Sequence, residues 1–169
     1  RAEFLGDTDF ARVPVEQLLS RQHAERLAAR IDPDRTQPLE SYGRFALTND
    51  AGTSHLCVID REGNAVACTE TINTVFGSYV VEPTYGIVLN NEMDDFAAVP
   101  GQPNAFGLVQ SEANAVAPGK KPLSSMSPTI LVKDGKAELA AGASGGPRII
   151  TSTLQVLLNV TRFGQSVDE

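Results

Sequence analysis

The residues with the most direct chemical potential are Gly52 and Thr53, inside Asp50-Ala51-Gly52-Thr53-Ser54-His55-Leu56-Cys57-Val58-Ile59-Asp60. The Thr53 hydroxyl follows a small flexible residue and opens a run with the alternation of a half-buried strand. Attack of that hydroxyl on the Gly52 carbonyl would cut the chain in front of Thr53. The new terminus would carry a hydroxyl nucleophile together with a free amine able to act as its base. The same residues also fit a loop that ends in glycine before an ordinary strand.

Three further groups have types suited to chemistry. Ser144-Gly145-Gly146-Pro147 reads as a strand-to-helix turn, where glycines let backbone N–H groups approach a developing oxyanion. A tight turn that needs glycine for its dihedrals would look the same. Glu92, Asp94 and Asp95 form an acidic cluster after a short apolar run. It lacks the alternating acids and central glycine of a calcium loop. It suits the ammonium of a small substrate, or equally a solvated acidic turn. Ser124-Ser125-Met126-Ser127 offers hydroxyls to a carboxylate, or is a polar loop. Taken together, the groups fit an amino-acid substrate with both an α-amine and an α-carboxylate.

These residues need elements to hold them. The spacing of Leu18, Leu19, His23, Leu27 and Ile31 predicts one helix entered at Pro14 and ended by Asp32-Pro33-Asp34, with His23 on its surface. Gln37 to Gly52 reads as a long connection leading to Thr53. His55 to Ile59 and Ala65 to Thr71 flank Asp60-Arg61-Glu62-Gly63-Asn64, a hairpin signal. Gly86 to Leu89 reads as a short strand, and Pro100 to Gly119 as an irregular excursion with the character of a lid. A second hairpin is expected around Asp134-Gly135. Pro147 then opens a helix to about Val160, apolar nearly all round and so expected to be buried.

Composition narrows the classes. The 169 residues suffice for one domain, and a net charge of −7 with a pI of about 4.8 argues against nucleic-acid binding. No apolar run is long enough to span a membrane. Cys57 and Cys68 would fall opposite one another across the first hairpin. A directly opposed disulfide is strained, so two free, buried thiols are expected, without metal-ligand spacing. With Arg1 first and Glu169 just past a helix, the sequence is expected to be a piece of something longer.

Several motifs, in order and spacing, resemble the γ-glutamyltransferases from about Val13 onward. They are Thr53-Ser54-His55, Gly63-Asn64-Ala65-Val66-Ala67, Asn90-Asn91-Glu92-Met93-Asp94-Asp95-Phe96, Pro122-Leu123-Ser124-Ser125-Met126-Ser127-Pro128-Thr129 and Gly145-Gly146. The run Pro122 to Thr129 is the most specific. The resemblance implies an α+β fold, the αββα sandwich of the N-terminal nucleophile hydrolases. It also implies a precursor that cuts itself between Gly52 and Thr53. Residues 1–52 would be the tail of a large subunit with its cleavable linker, and 53–169 the first part of a small catalytic subunit.

By the same resemblance Thr53 is the nucleophile, and Thr71 a second threonine whose hydroxyl supports it. Asn73, Glu92 and Asp95 would hold a substrate α-amine, Ser124 and Ser125 its α-carboxylate, and the amides of Gly145 and Gly146 the oxyanion. Pro100 to Ser111 aligns with the lid of some bacterial members. Phe106 stands where some of these carry a tyrosine bonded to the residue matching Asn73, so that polar latch is not formed here. Ser54 replaces the second threonine of many members.

The implied activity is γ-glutamyl transfer or hydrolysis from glutathione and related donors, through a Thr53 acyl-enzyme and without metal or organic cofactor. Amino acids, peptides or water would accept the group. Two other readings stay open. One is a related acylase acting on glutaryl-cephalosporin or poly-γ-glutamate, although Ser124-Ser125 with Glu92-Asp95 favours an α-amino-acid donor. The other is a non-catalytic, uncleaved module. Expected partners are the small-molecule donor and acceptor and the rest of the large subunit, with no nucleic acid. The family suggests a periplasmic or extracellular location. Taken alone, these 169 residues are expected to be inactive and to self-associate through apolar faces.

Overall fold

The computed structural model describes residues 3–38 and 52–167. The chain is α+β. Its contacts divide it into two compact units, Arg1–Thr48 with Met93–Leu123, and Asn49–Glu92 with Ser124–Glu169.

In the first unit, helices α1 (Val15–Leu19) and α2 (Arg21–Ala28) replace the single helix expected. Ser20 breaks it. Its backbone is extended, its Oγ donates to the Gln17 carbonyl at 2.7 Å, and the same oxygen accepts from the His23 amide at 3.1 Å. A serine offering such local bonds competes with helix continuation and instead caps the next helix. Leu19, Leu27 and Ile31 remain exposed. The connection from 39 to 51 lies outside the described residues.

The excursion after Phe96 is irregular, as its composition implies, but closely bonded. Pro103 and Val109 form an antiparallel bridge, and Gly101 donates to the Gln110 carbonyl at 3.1 Å. The Asn104 side-chain oxygen accepts from the Phe106 and Leu108 amides at 3.0 Å each. Phe96, Ala97 and Phe106 are buried. The N-terminal tail is clamped to the end of this excursion: the Asp7 carboxylate accepts from the Lys121 amide at 2.9 Å. A side chain at Gly6 would run into the backbone of Ala113.

Among its described residues the second unit holds three two-stranded antiparallel sheets. The first is β1 (Thr53–Ile59) with β2 (Ala65–Thr71), closed as expected by Asp60 to Asn64. The Asp60 carboxylate receives the Asn64 amide at 2.8 Å and its side-chain NH2 at 2.7 Å, and these bonds hold it below the ordinary carboxylate range. A small hairpin follows, β3 (Val81–Glu82) with β4 (Ile87–Val88). Only its second strand was legible. The third pair is β5 (Thr129–Lys133) with β6 (Lys136–Ala141). Strands β1 and β2 both pack against β6.

Helix α3 (Ile149–Phe163) follows a 3-10 turn at Gly146–Arg148 and packs on β6. It is longer than expected and is not buried all round. Ile149 and Thr153 are buried, whereas Leu154, Val156 and Leu158 are exposed. Its apolar circumference exceeds what one neighbouring strand can cover.

The cysteines also depart from expectation. Cys57 pairs with Ala67 and Cys68 with Leu56, so the thiols stand on opposite faces. Both are free and exposed. The pairing register is offset by one residue from the opposed arrangement, and one residue reverses the face.

Candidate active site

Thr53 begins β1 directly opposite Thr71, the last residue of β2. Paired residues share a face, so their hydroxyls meet: Thr53 Oγ1 donates to Thr71 Oγ1 at 3.1 Å. Thr71 Oγ1 in turn donates to the carbonyl oxygen of Gly52 at 3.1 Å. The Asn73 amide donates to the same Thr71 oxygen at 2.8 Å. One hydroxyl thus touches the Thr53 side chain and the carbonyl of the peptide bond before it. That peptide group is closely confined. A Cβ on Gly52 would sit 2.5 Å from the Asn73 carbonyl oxygen and 2.8 Å from the Thr74 carbonyl carbon.

Asn73 supports this arrangement with a strained backbone. Its φ is 76°, in the left-handed region that asparagine tolerates better than most residues. It is buried, and its side-chain NH2 donates to the Asn91 carbonyl at 3.1 Å. The Asn91 side-chain oxygen accepts from the Thr74 amide and hydroxyl at 3.2 Å each. The segment after β2 is therefore tied to the Asn90-Asn91-Glu92 run. Glu92 opens a 3-10 turn, Glu92–Asp95, with its Oε1 buried.

Asp95 belongs to the first unit. Its backbone carbonyl accepts from Asn114 at 2.7 Å and Gln110 at 3.1 Å. Asn114 is fully buried, also donates to Gln110 Oε1 at 2.8 Å, and accepts from the Leu123 amide at 3.0 Å. This amide network fixes the backbone on either side of the excursion, and sequence reasoning missed it. Ser124 and Ser125 lie in the second unit, in the irregular run before β5. The Ser124 hydroxyl accepts from the Met126 amide at 3.0 Å.

Gly145 and Gly146 both take positive φ, 122° and 51°. The Gly145 carbonyl accepts from the Arg148 amide at 3.0 Å as the chain enters α3. The turn therefore requires glycine for its backbone, with its amides at the N-terminal approach to a helix. Among the described residues no cluster of three or more His, Cys, Asp or Glu could hold a metal ion.

The Gamma-glutamyltranspeptidase family profile matches residues 1–169. The chain belongs to this family. It is 49% identical over 171 residues to a glutathione hydrolase proenzyme of Escherichia coli K12, covering 100% of this chain and 30% of that one. A glutathione hydrolase proenzyme of a Pseudomonas species, strain A14, is 42% identical over 170 residues, covering 100% and 30%. The chain thus spans about 30% of the length of these bacterial relatives. A nominally inactive glutathione hydrolase 4 of Arabidopsis thaliana is 46% identical over 159 residues, which are 92% of this chain and 83% of that protein.

Solved γ-glutamyltranspeptidases carry the same fold. A Helicobacter pylori mutant matches with a TM-score of 0.65 and 50% identity, over 69% of this chain and 62% of that one. The Pseudomonas nitroreducens protein complexed with L-DON matches with a TM-score of 0.65 and 52% identity, over 67% and 58%. The fold class expected from the sequence motifs is therefore the one these relatives share.

Proposed function

We propose that the protein to which these residues belong cuts itself between Gly52 and Thr53, then uses Thr53 to accept a γ-glutamyl group. The observation that carries this reading is the bond chain from Thr53 Oγ1 through Thr71 Oγ1 to the Gly52 carbonyl oxygen. Attack of Thr53 Oγ1 on the Gly52 carbonyl carbon places negative charge on that oxygen. Thr71 donates to it, while its own oxygen takes the hydrogen bond of the attacking hydroxyl. Collapse breaks the C–N bond as the Thr53 nitrogen takes the proton given up by the hydroxyl, and leaves an ester between Gly52 and the Thr53 oxygen. Water hydrolyses the ester, giving a Gly52 carboxylate and a free Thr53 amine and hydroxyl. The proenzyme names of the bacterial relatives support a precursor that is processed.

In turnover the free amine takes the hydroxyl proton as Thr53 attacks the γ-carbonyl of glutathione or a related donor. The Thr53 ammonium returns that proton to the leaving amine, which departs, and water or an amino acid or peptide releases the γ-glutamyl group. The donor α-amine is assigned to Asn73, Glu92 and Asp95 and its α-carboxylate to Ser124 and Ser125. The oxyanion is assigned to the amides of Gly145 and Gly146. The division at 52/53 is then the boundary between a large and a small subunit. The glutathione hydrolase names of the relatives support the donor class.

The test is release of aniline from a γ-glutamyl anilide by the full-length protein, with and without an acceptor dipeptide. Turnover that rises with acceptor supports the reading; none in a folded, cleaved protein overturns it. The name of the Arabidopsis relative, a nominally inactive glutathione hydrolase, supports the second reading of a non-catalytic module. An intact Gly52–Thr53 bond in the full-length protein would favour that alternative.

A further inference from the structure

His55 shares a face of the first hairpin with Thr53, two residues along β1 and opposite Thr69. Both ring nitrogens are engaged. Nδ1 is 2.7 Å from Thr69 Oγ1 and Nε2 is 2.9 Å from Cys57 Sγ, so the ring is held from both ends. Its position matters for a third element. A Cβ at Gly142 would overlap the His55 ring, with the ring's Nδ1, Cε1 and Nε2 as its nearest neighbours. Gly142 directly follows β6 and starts the turn to Gly145 and Gly146. Its own φ lies outside the left-handed region, so close approach of the ring, not backbone dihedrals, requires glycine there.

We propose that His55 is a positioning residue, seated on Gly142, that sets the spacing between Thr53 and the turn carrying the Gly145 and Gly146 amides. The inference rests on the reading of Thr53 as nucleophile and of those amides as oxyanion donors. Oxyanion stabilisation demands donors within hydrogen-bond distance of one point in space. Thr53 and the glycines belong to different elements, so something must fix one against the other. The imidazole does so from β1, clamped by Thr69 and Cys57, with no side chain intervening at Gly142. A shift near 1 Å at such a site costs on the order of a hundredfold in rate.

The experiment uses the full-length protein carrying His55→Ala, His55→Gln, Gly142→Ala or His55→Ala with Gly142→Ala. The cleaved fraction of each is titrated with an electrophilic glutamine analogue, so that kcat is expressed per reactive Thr53. The inhibition constant of glutamate, the hydrolysis product, reports ground-state recognition separately. His55→Ala should lower kcat per site by about ten- to a hundredfold while the glutamate constant moves less than about twofold. Gly142→Ala should cost about tenfold or more in the parent background. It should cost less than about twofold beside His55→Ala, because the added methyl enters space that the ring has left.

Equal losses from Gly142→Ala in both backgrounds would overturn the proposal. So would a kcat per site in His55→Ala within about twofold of the parent. Should His55→Ala fail to fold, the milder His55→Gln alone and with Gly142→Ala repeats the same comparison. Failure of the functional reading looks different: the unmodified protein itself would show no titratable Thr53 and no turnover.

Discussion

Thr71 Oγ1 lies 3.1 Å from the Gly52 carbonyl oxygen, bonded to the very peptide group that precedes the Thr53 hydroxyl. The pairing of the last residue of β2 with the first of β1 creates this relationship. A register shift of one residue between the strands would put the two hydroxyls on opposite faces of the hairpin and abolish it.

Thr71→Ala should therefore slow cleavage at Gly52–Thr53 by about a hundredfold, the usual loss when one donor to a developing oxyanion is removed. Thr71→Ser keeps the hydroxyl and should cleave within about tenfold of the parent. A time course of subunit appearance on denaturing gels, using full-length precursor, measures both. Equal rates for Thr71→Ala and the parent would remove Thr71 from the cleavage step.

Gly52→Ala tests confinement of the same peptide group. The added methyl would meet backbone atoms at Asn73 and Thr74, which cannot swing aside as a side-chain end can. Cleavage should slow and the Tm of the precursor should fall. By contrast, Gly63→Ala has open space around it and carries only the strain of φ 89°. It should cost about 1–3 kcal/mol of stability, read as a lower Tm, without slowing cleavage in the folded protein. Calorimetry combined with the gel assay separates the two, and similar cleavage in both variants would contradict the account.

Much of this was legible because it follows from local rules. Gly63 and Asn64 mark the first hairpin, Asp134-Gly135 the second, and Gly145-Gly146 the turn into α3. The break at Ser20 was missed because apolar spacing continued through it, while the deciding bonds came from the Ser20 hydroxyl. Asn114 and Gln110 were missed because an amide in an irregular stretch resembles any polar loop residue until its buried partners are known. His55 had a usable signal, its period-two spacing from Thr53 on a strand. Its seat on Gly142 depends on β6, more than eighty residues away in the chain.

Asp95→Ala should leave cleavage intact. The Asp95 backbone carbonyl keeps its bonds to Asn114 and Gln110, so that anchor does not depend on the carboxylate. What should suffer is recognition of the donor amine. Loss of a charge-assisted hydrogen bond costs about 1.5–3 kcal/mol, roughly a ten- to hundredfold loss of affinity. Kinetics with donors that carry or lack the α-amine provide the measurement. The parent should strongly prefer the amine, and the variant should lose most of that preference. An unchanged preference would leave the acidic cluster as a solvated turn.

Asp60 gives a pH-dependent marker of the first hairpin. The Asn64 side-chain bond, followed by backbone bonds, lowers its carboxyl pKa below the ordinary value. A carboxylate depressed in the folded state adds stability above its unfolded pKa, and that contribution is lost as pH falls through the folded value. Asn64→Ala should return the midpoint toward the ordinary value. Carboxyl NMR shifts followed down to acid pH read this directly, and identical midpoints in parent and variant would contradict it.

The central claim is that Thr53 is both the cutting residue and the nucleophile it releases. Mass spectrometry of the full-length protein, before and after brief exposure to a γ-glutamyl donor and rapid acid quench, tests it most directly. The account predicts a small subunit whose first residue is Thr53, a γ-glutamyl adduct on that residue, and a single uncut, unlabelled chain for Thr53→Ala. A cut at another bond, or an adduct that persists in Thr53→Ala, would contradict it.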